Sequence, residues 1–280
     1  MSAAVTDTPS AVHALVAPPA PVVARVSVAP AEVRAAVLAA APSARVIAPS
    51  EPNTSVVGRH ETPFDPDDEA RVANLRLAVE ALDGTHIRPR RSLSFDEALG
   101  PRTEARGFRA AEEIVSGELR PGIGGGICQV ATTLFVAAYR GGLTIADVHA
   151  HSRLPPYARP GMDAVIAEGQ RDLVVVNAYS EPVVVHARLE RDRVIIELET
   201  EAVPFEVTYD AEVEDEFPIR ERIERTRNLA VGEREVIDHG EVGRVVYRTR
   251  TVRDAEGELV GRDRRHVRYH AMPRIIREGR

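Results

Sequence analysis

The chain has one cysteine, Cys128, at the end of the glycine-rich run Pro121-Gly-Ile-Gly-Gly-Gly-Ile-Cys128, and two histidines follow it in Val148-His-Ala-His-Ser152. A thiol attacks as its anion, and a helix N-terminus favours that anion because unpaired N–H groups and the helix dipole face the sulfur. Gln129 to Arg140 reads as a helix with Val130, Leu134 and Ala137 or Ala138 on its apolar face, closed by Gly141-Gly142. Cys128 is thereby placed at a helix start. The glycines remove side-chain bulk and let a substrate backbone come close. The N–H groups around Cys128, with Gly126 and Gln129 on either side, are candidates to bind a developing oxyanion.

A nucleophile of this kind needs a base, and either His149 or His151 can reach it. A third group ordinarily orients the imidazole. Asp163 is the nearest candidate, with Asp147 and a backbone carbonyl as alternatives. Cysteine at a helix start with histidine on a later strand is the chain order of papain-like and transglutaminase-like enzymes. Other roles compete. A lone cysteine in an apolar run also serves as a small buried hydrophobe. His-x-His with one cysteine suggests zinc, but no fourth ligand is evident, so no metal is expected. The glycine run lacks the Lys-Ser/Thr pair of a P-loop and the spacing of a dinucleotide fingerprint, so no phosphate-bearing cofactor is expected.

The elements that must position these residues are readable in outline. Residues 1–56 are an Ala/Pro-rich leader, expected to be flexible apart from a short helix over Ala31 to Ala40. Asp65-Pro66 starts a helix whose apolar side is Val72, Leu75, Val79 and Leu82, ended by Gly84. A second short helix is expected from Phe108 to Ser116. Beyond Gly142 the periodicity becomes that of strands, at Asp172 to Val176, Pro182 to Leu189 and Val194 to Leu198, with a turn at Glu190-Arg-Asp-Arg193. Residues 57–202 then form an α+β domain, helices packed on an antiparallel sheet with the cysteine at a helix N-terminus. Residues 203–280 alternate short strand-like runs with glycine-bearing turns, a small all-β module with a thin core.

Composition narrows the partners. Aromatic residues make up 4% of the 280 and Trp is absent, which argues against stacking on single-stranded nucleic acid. The formal net charge is −7, and the arginines from Arg244 onward are interleaved with acids, so no phosphate-backbone partner is expected. No run approaches the ~20 apolar residues that a membrane span requires. The N-terminal stretch carries no Lys or Arg in its first ten residues and is broken by Pro18, Pro19 and Pro21, a poor match to a signal peptide.

At these residues the chain resembles the VanW family. The segments that carry the resemblance include Leu93-Ser-Phe-Asp96, Gly100-Pro-Arg-Thr103, Arg106-Gly-Phe108, Gly124-Gly-Gly-Ile-Cys-Gln-Val-Ala-Thr-Thr-Leu134, His151-Ser152, Tyr157 and Pro160-Gly-Met-Asp-Ala164. The resemblance implies a cell-envelope protein acting on peptidoglycan stem peptides by L,D-transpeptidase-like chemistry. Cys128 would form a thioester and His151 would move the protons. Arg102, Arg106, His149 and Tyr157 are the further candidates to hold substrate, the two arginines through a stem-peptide carboxylate. The alternatives are a hydrolase, a wall-binding protein that has lost turnover, and a cytoplasmic protein acting on soluble precursors. Gly232, Gly240, Gly243, Gly257 and Gly279 resemble the five-glycine domain that often follows VanW domains. That resemblance implies wall attachment through N-acetylglucosamine.

Overall fold

The computed structural model describes residues 54–115 and 117–280. Most of the expected leader, including the helix over residues 31–40, lies outside them. In chain order the elements are β1 (Ser55–Pro63), α1 (Glu69–Leu82), β2 (Thr85–Ile87), β3 (Ser92–Ser94), α2 (Phe95–Leu99), β4 (Ala110–Val115), β5 (Glu118–Ile123), α3 (Ile127–Arg140), β6 (Thr144–Asp147), β7 (Val174–Val176), β8 (Val183–Glu190) and β9 (Arg193–Thr200). Then follow β10 (Glu206–Phe217), β11 (Glu221–Thr226), β12 (Arg234–Asp238), β13 (Gly243–Arg253), β14 (Leu259–Tyr269) and β15 (Arg274–Gly279). Among the described residues no helix is long and apolar enough to cross a membrane.

The N-terminal two thirds are built around α3. From Gln129 to Tyr139 every residue of α3 is buried, as expected of a helix that is apolar on nearly all sides. It packs on β1 and β9 of an antiparallel sheet ordered β1-β9-β8-β2, and it also touches β6, β10 and α1. The turn at residues 190–193 holds β8 and β9 in register, Glu190 opposite Arg193. The first helix begins at Glu69, three residues past the expected Asp65-Pro66 start. Asp68 caps it by accepting from the Arg71 N–H. Leu75, Ala78, Val79 and Leu82 are buried, and α1 lies on β8. A second antiparallel sheet is ordered β3-β7-β6.

The helix expected over residues 108–116 is absent. Ala110–Val115 is strand β4, paired antiparallel with β5 from Ala110↔Ile123 to Val115↔Glu118. Ala111 is buried there between exposed Ala110 and Glu112, and Gly117 at φ +88° makes a tight reversal. The hairpin takes Pro121-Gly-Ile123 into β5, which leaves Gly124–Gly126 as the turn into α3.

Residues 206–279 form two three-stranded sheets. One is antiparallel, ordered β10-β13-β14. The other is ordered β11-β15-β12, with β11 and β15 parallel. The reversal at Asp254–Gly257 joins β13 to β14, as its sequence indicates. Residues 49–280 cluster as one compact unit. The buried guanidinium of Arg250 on β13 shows why the two parts hold together. It donates to Tyr139 O and Leu143 O at the end of α3, both at 2.9 Å, and pairs with Asp263.

Candidate active site

Cys128 is the second residue of α3. The turn before it approaches the β4–β5 hairpin so closely that a side chain would not fit. A Cβ on Gly125 would come within 2.3 Å of Ala111 O, and Gly126, the N-cap, has φ +107°. Asn74 of α1 fixes this turn by donating to Gly125 O and Arg109 O.

One face of α3 then fixes what lies opposite the sulfur. Thr132, one turn after Cys128, accepts from Ala164 N and donates to Ala164 O. Cys128 meets the next exposed backbone groups of that segment: Ile166 N donates to Sγ at 3.4 Å, and Sγ lies 3.7 Å from Ile166 O. On the segment's other side Val165 N donates to His149 O. The stretch 163–166 is thus clamped between α3 and the histidine segment, and Asp163 is delivered beside His151.

Asp163 Oδ2 lies 2.7 Å from His151 Nδ1 and accepts from the His151 N–H at 2.8 Å. With Nδ1 committed, Nε2 is the ring nitrogen left to serve the thiol. Both Asp163 and His151 are buried. Burial by itself drives the imidazole towards neutrality. The hydrogen bonds to Asp163 and Cys128 and the charge of the thiolate outweigh it, so that His151 is raised to about 9.

Cys128 and His151 open onto a cleft of about 730 Å³ whose walls include Phe64, Arg71, Tyr157, Ile114 and Glu241, and Asp163 lies buried outside it. Tyr157 sinks its hydroxyl end towards Thr132 and Cys128. Burial first, and then the sulfur's charge, hold its phenol well above the usual range, so it stays protonated. Arg71 stands over the Tyr157 ring at 5.9 Å and donates to Gln129 Oε1 at 3.0 Å.

The other residues singled out in the sequence fall in different places. Gly126 and Gln129 line the cleft, but Gln129 is occupied within the protein. Its N–H donates to Gly126 O, and its side-chain amide donates to Thr62 and Pro63. His149 turns away, bonds Asp147, and lines a separate cavity of about 220 Å³. Asp147 therefore does not orient His151. Arg102 is buried behind the glycine turn, paired with Asp96 at 2.7 Å and with Glu168. Arg106 donates to Leu99 O and Pro101 O. Neither arginine is among the residues lining the cleft. Three residues at the site went unread in the sequence. Thr132 could have been found from its four-residue spacing to Cys128. Arg71 gives no signal on the polar side of α1, nor does Tyr269 on β14, whose phenol donates to Asp163 Oδ1.

Residues 70–199 match the family model described as VanW like protein. This part of the chain is a VanW-like domain. The chain is 38% identical over 146 residues to the "Uncharacterized protein YoaR" of Bacillus subtilis (strain 168), a match covering 52% of this chain and 48% of that one. It is 32% identical over 125 residues to the "Vancomycin B-type resistance protein VanW" of Enterococcus faecalis (strain ATCC 700802 / V583), covering 42% of this chain and 45% of that one. The chain thus spans about half the length of the curated relatives it matches. Two solved structures, titled HP0197-G5 and IgA1 protease G5 domain, each match 27% of the chain. Their identities are 20% and 26%, with TM-scores of 0.17 and 0.19, and the matches cover 97% and 92% of those chains.

Proposed function

We propose that this protein modifies peptidoglycan by thiol-dependent acyl transfer of the L,D-transpeptidase kind, with Cys128 as nucleophile. The observation that carries the reading is the alignment of Cys128, His151 and Asp163, a thiol at a helix start facing an imidazole whose far nitrogen is held by a buried carboxylate. The choice of stem peptides as substrate rests on the VanW family relationship, one relative of which bears a vancomycin-resistance name. Of the two arginines lining the cleft, Arg153 is paired with Asp238 and Glu241, which leaves Arg71 suited to a substrate carboxylate. The cell envelope is the location this substrate requires. In this reading residues 57–202 are the catalytic part, and residues 203–280 are the second, wall-facing part.

The steps follow from the proton inventory. The thiolate attacks the carbonyl after the third stem residue, and the tetrahedral oxyanion is met by backbone N–H groups at the start of α3. The C–N bond breaks as His151 Nε2 passes its proton to the departing D-amino acid. The thioester is then attacked by an amine of a neighbouring stem. That amine gives its proton to His151 as the C–S bond breaks, which restores the starting state.

The test is incubation of the intact protein with a disaccharide-tetrapeptide, alongside Cys128→Ala, read by mass spectrometry. Loss of the terminal D-Ala with dimer formation, absent in the variant, is the expected result. Loss of D-Ala without dimers would mean that water resolves the thioester. No product, with the protein retained on wall material, would make it a binding protein.

A further inference from the structure

The groups that hold the histidine–carboxylate pair come partly from residues that the VanW match does not cover. Tyr269, the last residue of β14, is 1% exposed, and its phenol donates to Asp163 Oδ1, the oxygen that His151 leaves free. The same phenol oxygen accepts from Gly161 N at 2.8 Å. Arg248 on β13 donates to Gly161 O at 2.6 Å. The loop carrying Asp163 is thus gripped at both of its peptide faces by the β10-β13-β14 sheet. A Cβ on Gly161, which has φ +78°, would meet Val246 of β13 at 2.9 Å. The histidine segment is held from the same side, since His270 N donates to Ser152 O at 2.9 Å.

We propose that Tyr269 is a positioning residue for the Cys128 site: its phenol fixes Asp163 so that Asp163 can fix His151, and the C-terminal sheet is thereby part of the catalytic apparatus. This rests on the thiol-nucleophile reading above. Burial, and after it the neighbouring Asp163 carboxylate, push the Tyr269 phenol far up, so it remains a donor at any working pH. Without the hydroxyl, Asp163 Oδ1 would be a buried charged oxygen with one donor fewer, and the carboxylate would be free to turn away from His151. The other titratable groups facing the pair are the Cys128 thiol and Tyr157, with Arg71 standing behind Tyr157.

The experiment uses the full chain, whose single cysteine makes iodoacetamide a reporter of one site. Alkylation rates at pH 7 and the titration of His151 by NMR are compared for the unaltered protein, Tyr269→Phe, His151→Ala and Tyr247→Phe. Tyr247→Phe is a control on the adjacent strand, where Tyr247 packs on His266. The expected result is a roughly tenfold slower alkylation and a lower His151 midpoint in Tyr269→Phe, the order for one hydrogen bond to a buried charge, with Tyr247→Phe unchanged. If alkylation is the same in His151→Ala as in the unaltered protein, the nucleophile reading itself fails. If it depends on His151 but Tyr269→Phe behaves as the unaltered protein, only the role of Tyr269 falls. A second measurement needs no variant. The phenol proton of Tyr269 is expected as a slowly exchanging downfield resonance, and its absence would overturn the proposal.

Discussion

One oxygen of Asp163 serves His151 twice: Oδ2 accepts from the backbone N–H at 2.8 Å and lies 2.7 Å from ring Nδ1. The main chain and the ring of the histidine are therefore referenced to the same atom, and the imidazole cannot rotate without giving up a bond to a buried carboxylate. This links the chemistry to the pH dependence of folding. His151 is raised from 6.5 to about 9, so its contribution is fully present below pH 6.5 and is lost as pH rises through about 9. The expected stabilisation is on the order of 3 kcal/mol. Urea unfolding of the unaltered protein between pH 6 and 9.5 should show this decline, and Asp163→Asn should flatten it. A decline of equal size in Asp163→Asn would rule out the carboxylate as the source.

Arg250→Met should lower stability by about 3 kcal/mol, because it leaves Asp263 only the Tyr139 hydroxyl as partner and uncaps two carbonyls at and just after the end of α3. Chemical denaturation measures the loss. A change below about 1 kcal/mol would mean that the guanidinium is not the link between α3 and the C-terminal strands.

Gly125→Ala tests the approach to Cys128. Its methyl would collide with the Ala111 carbonyl, a backbone group that cannot swing aside. The expected result is displacement of the start of α3, seen as a loss of Cys128 alkylation at least as large as that of His151→Ala. Gly169→Ala, where nothing lies within 4 Å of the added carbon, should leave the rate unchanged and cost only about 1 kcal/mol for its positive φ.

Two arginine variants separate cleft from scaffold. Arg71→Met removes the charge beside Tyr157 and the bond to Gln129. Under the proposed acyl transfer, kcat/KM with stem-peptide substrate should fall about tenfold, most of it in KM. Arg106→Met removes two bonds to backbone carbonyls away from the cleft. It should cost about 1–2 kcal/mol of stability and leave kcat/KM intact. The opposite pattern would return substrate binding to Arg106.

Local patterns were readable in the sequence because their causes are local. The apolar side of α1, the apolar turns of α3 and the reversals at residues 190–193 and 254–257 all depend on neighbours a few residues away. The segment 108–116 was misread because Phe108, Ala111 and Ile114 satisfy a three-residue step, while its pairing with β5 is set by a reversal that a short apolar run does not reveal. Cys128, His151 and Asp163 could be named as types in the right order. The choice of His151 over His149, and of Asp163 over Asp147, depended on Thr132 holding Ala164 against α3. Tyr269 was beyond reach, because a tyrosine in a strand looks the same whether it faces solvent or a buried carboxylate.

Strand β15 lies between β11 and β12, although it follows both in sequence with two long strands intervening. Its two neighbours cannot pair until it arrives, so this sheet is closed by contacts between distant parts of the chain, and such contacts form slowly. During that interval β11 and β12 present bare edges to any other strand in solution. The yield of properly assembled protein should then depend on concentration during refolding, with losses to aggregation that begin at these edges.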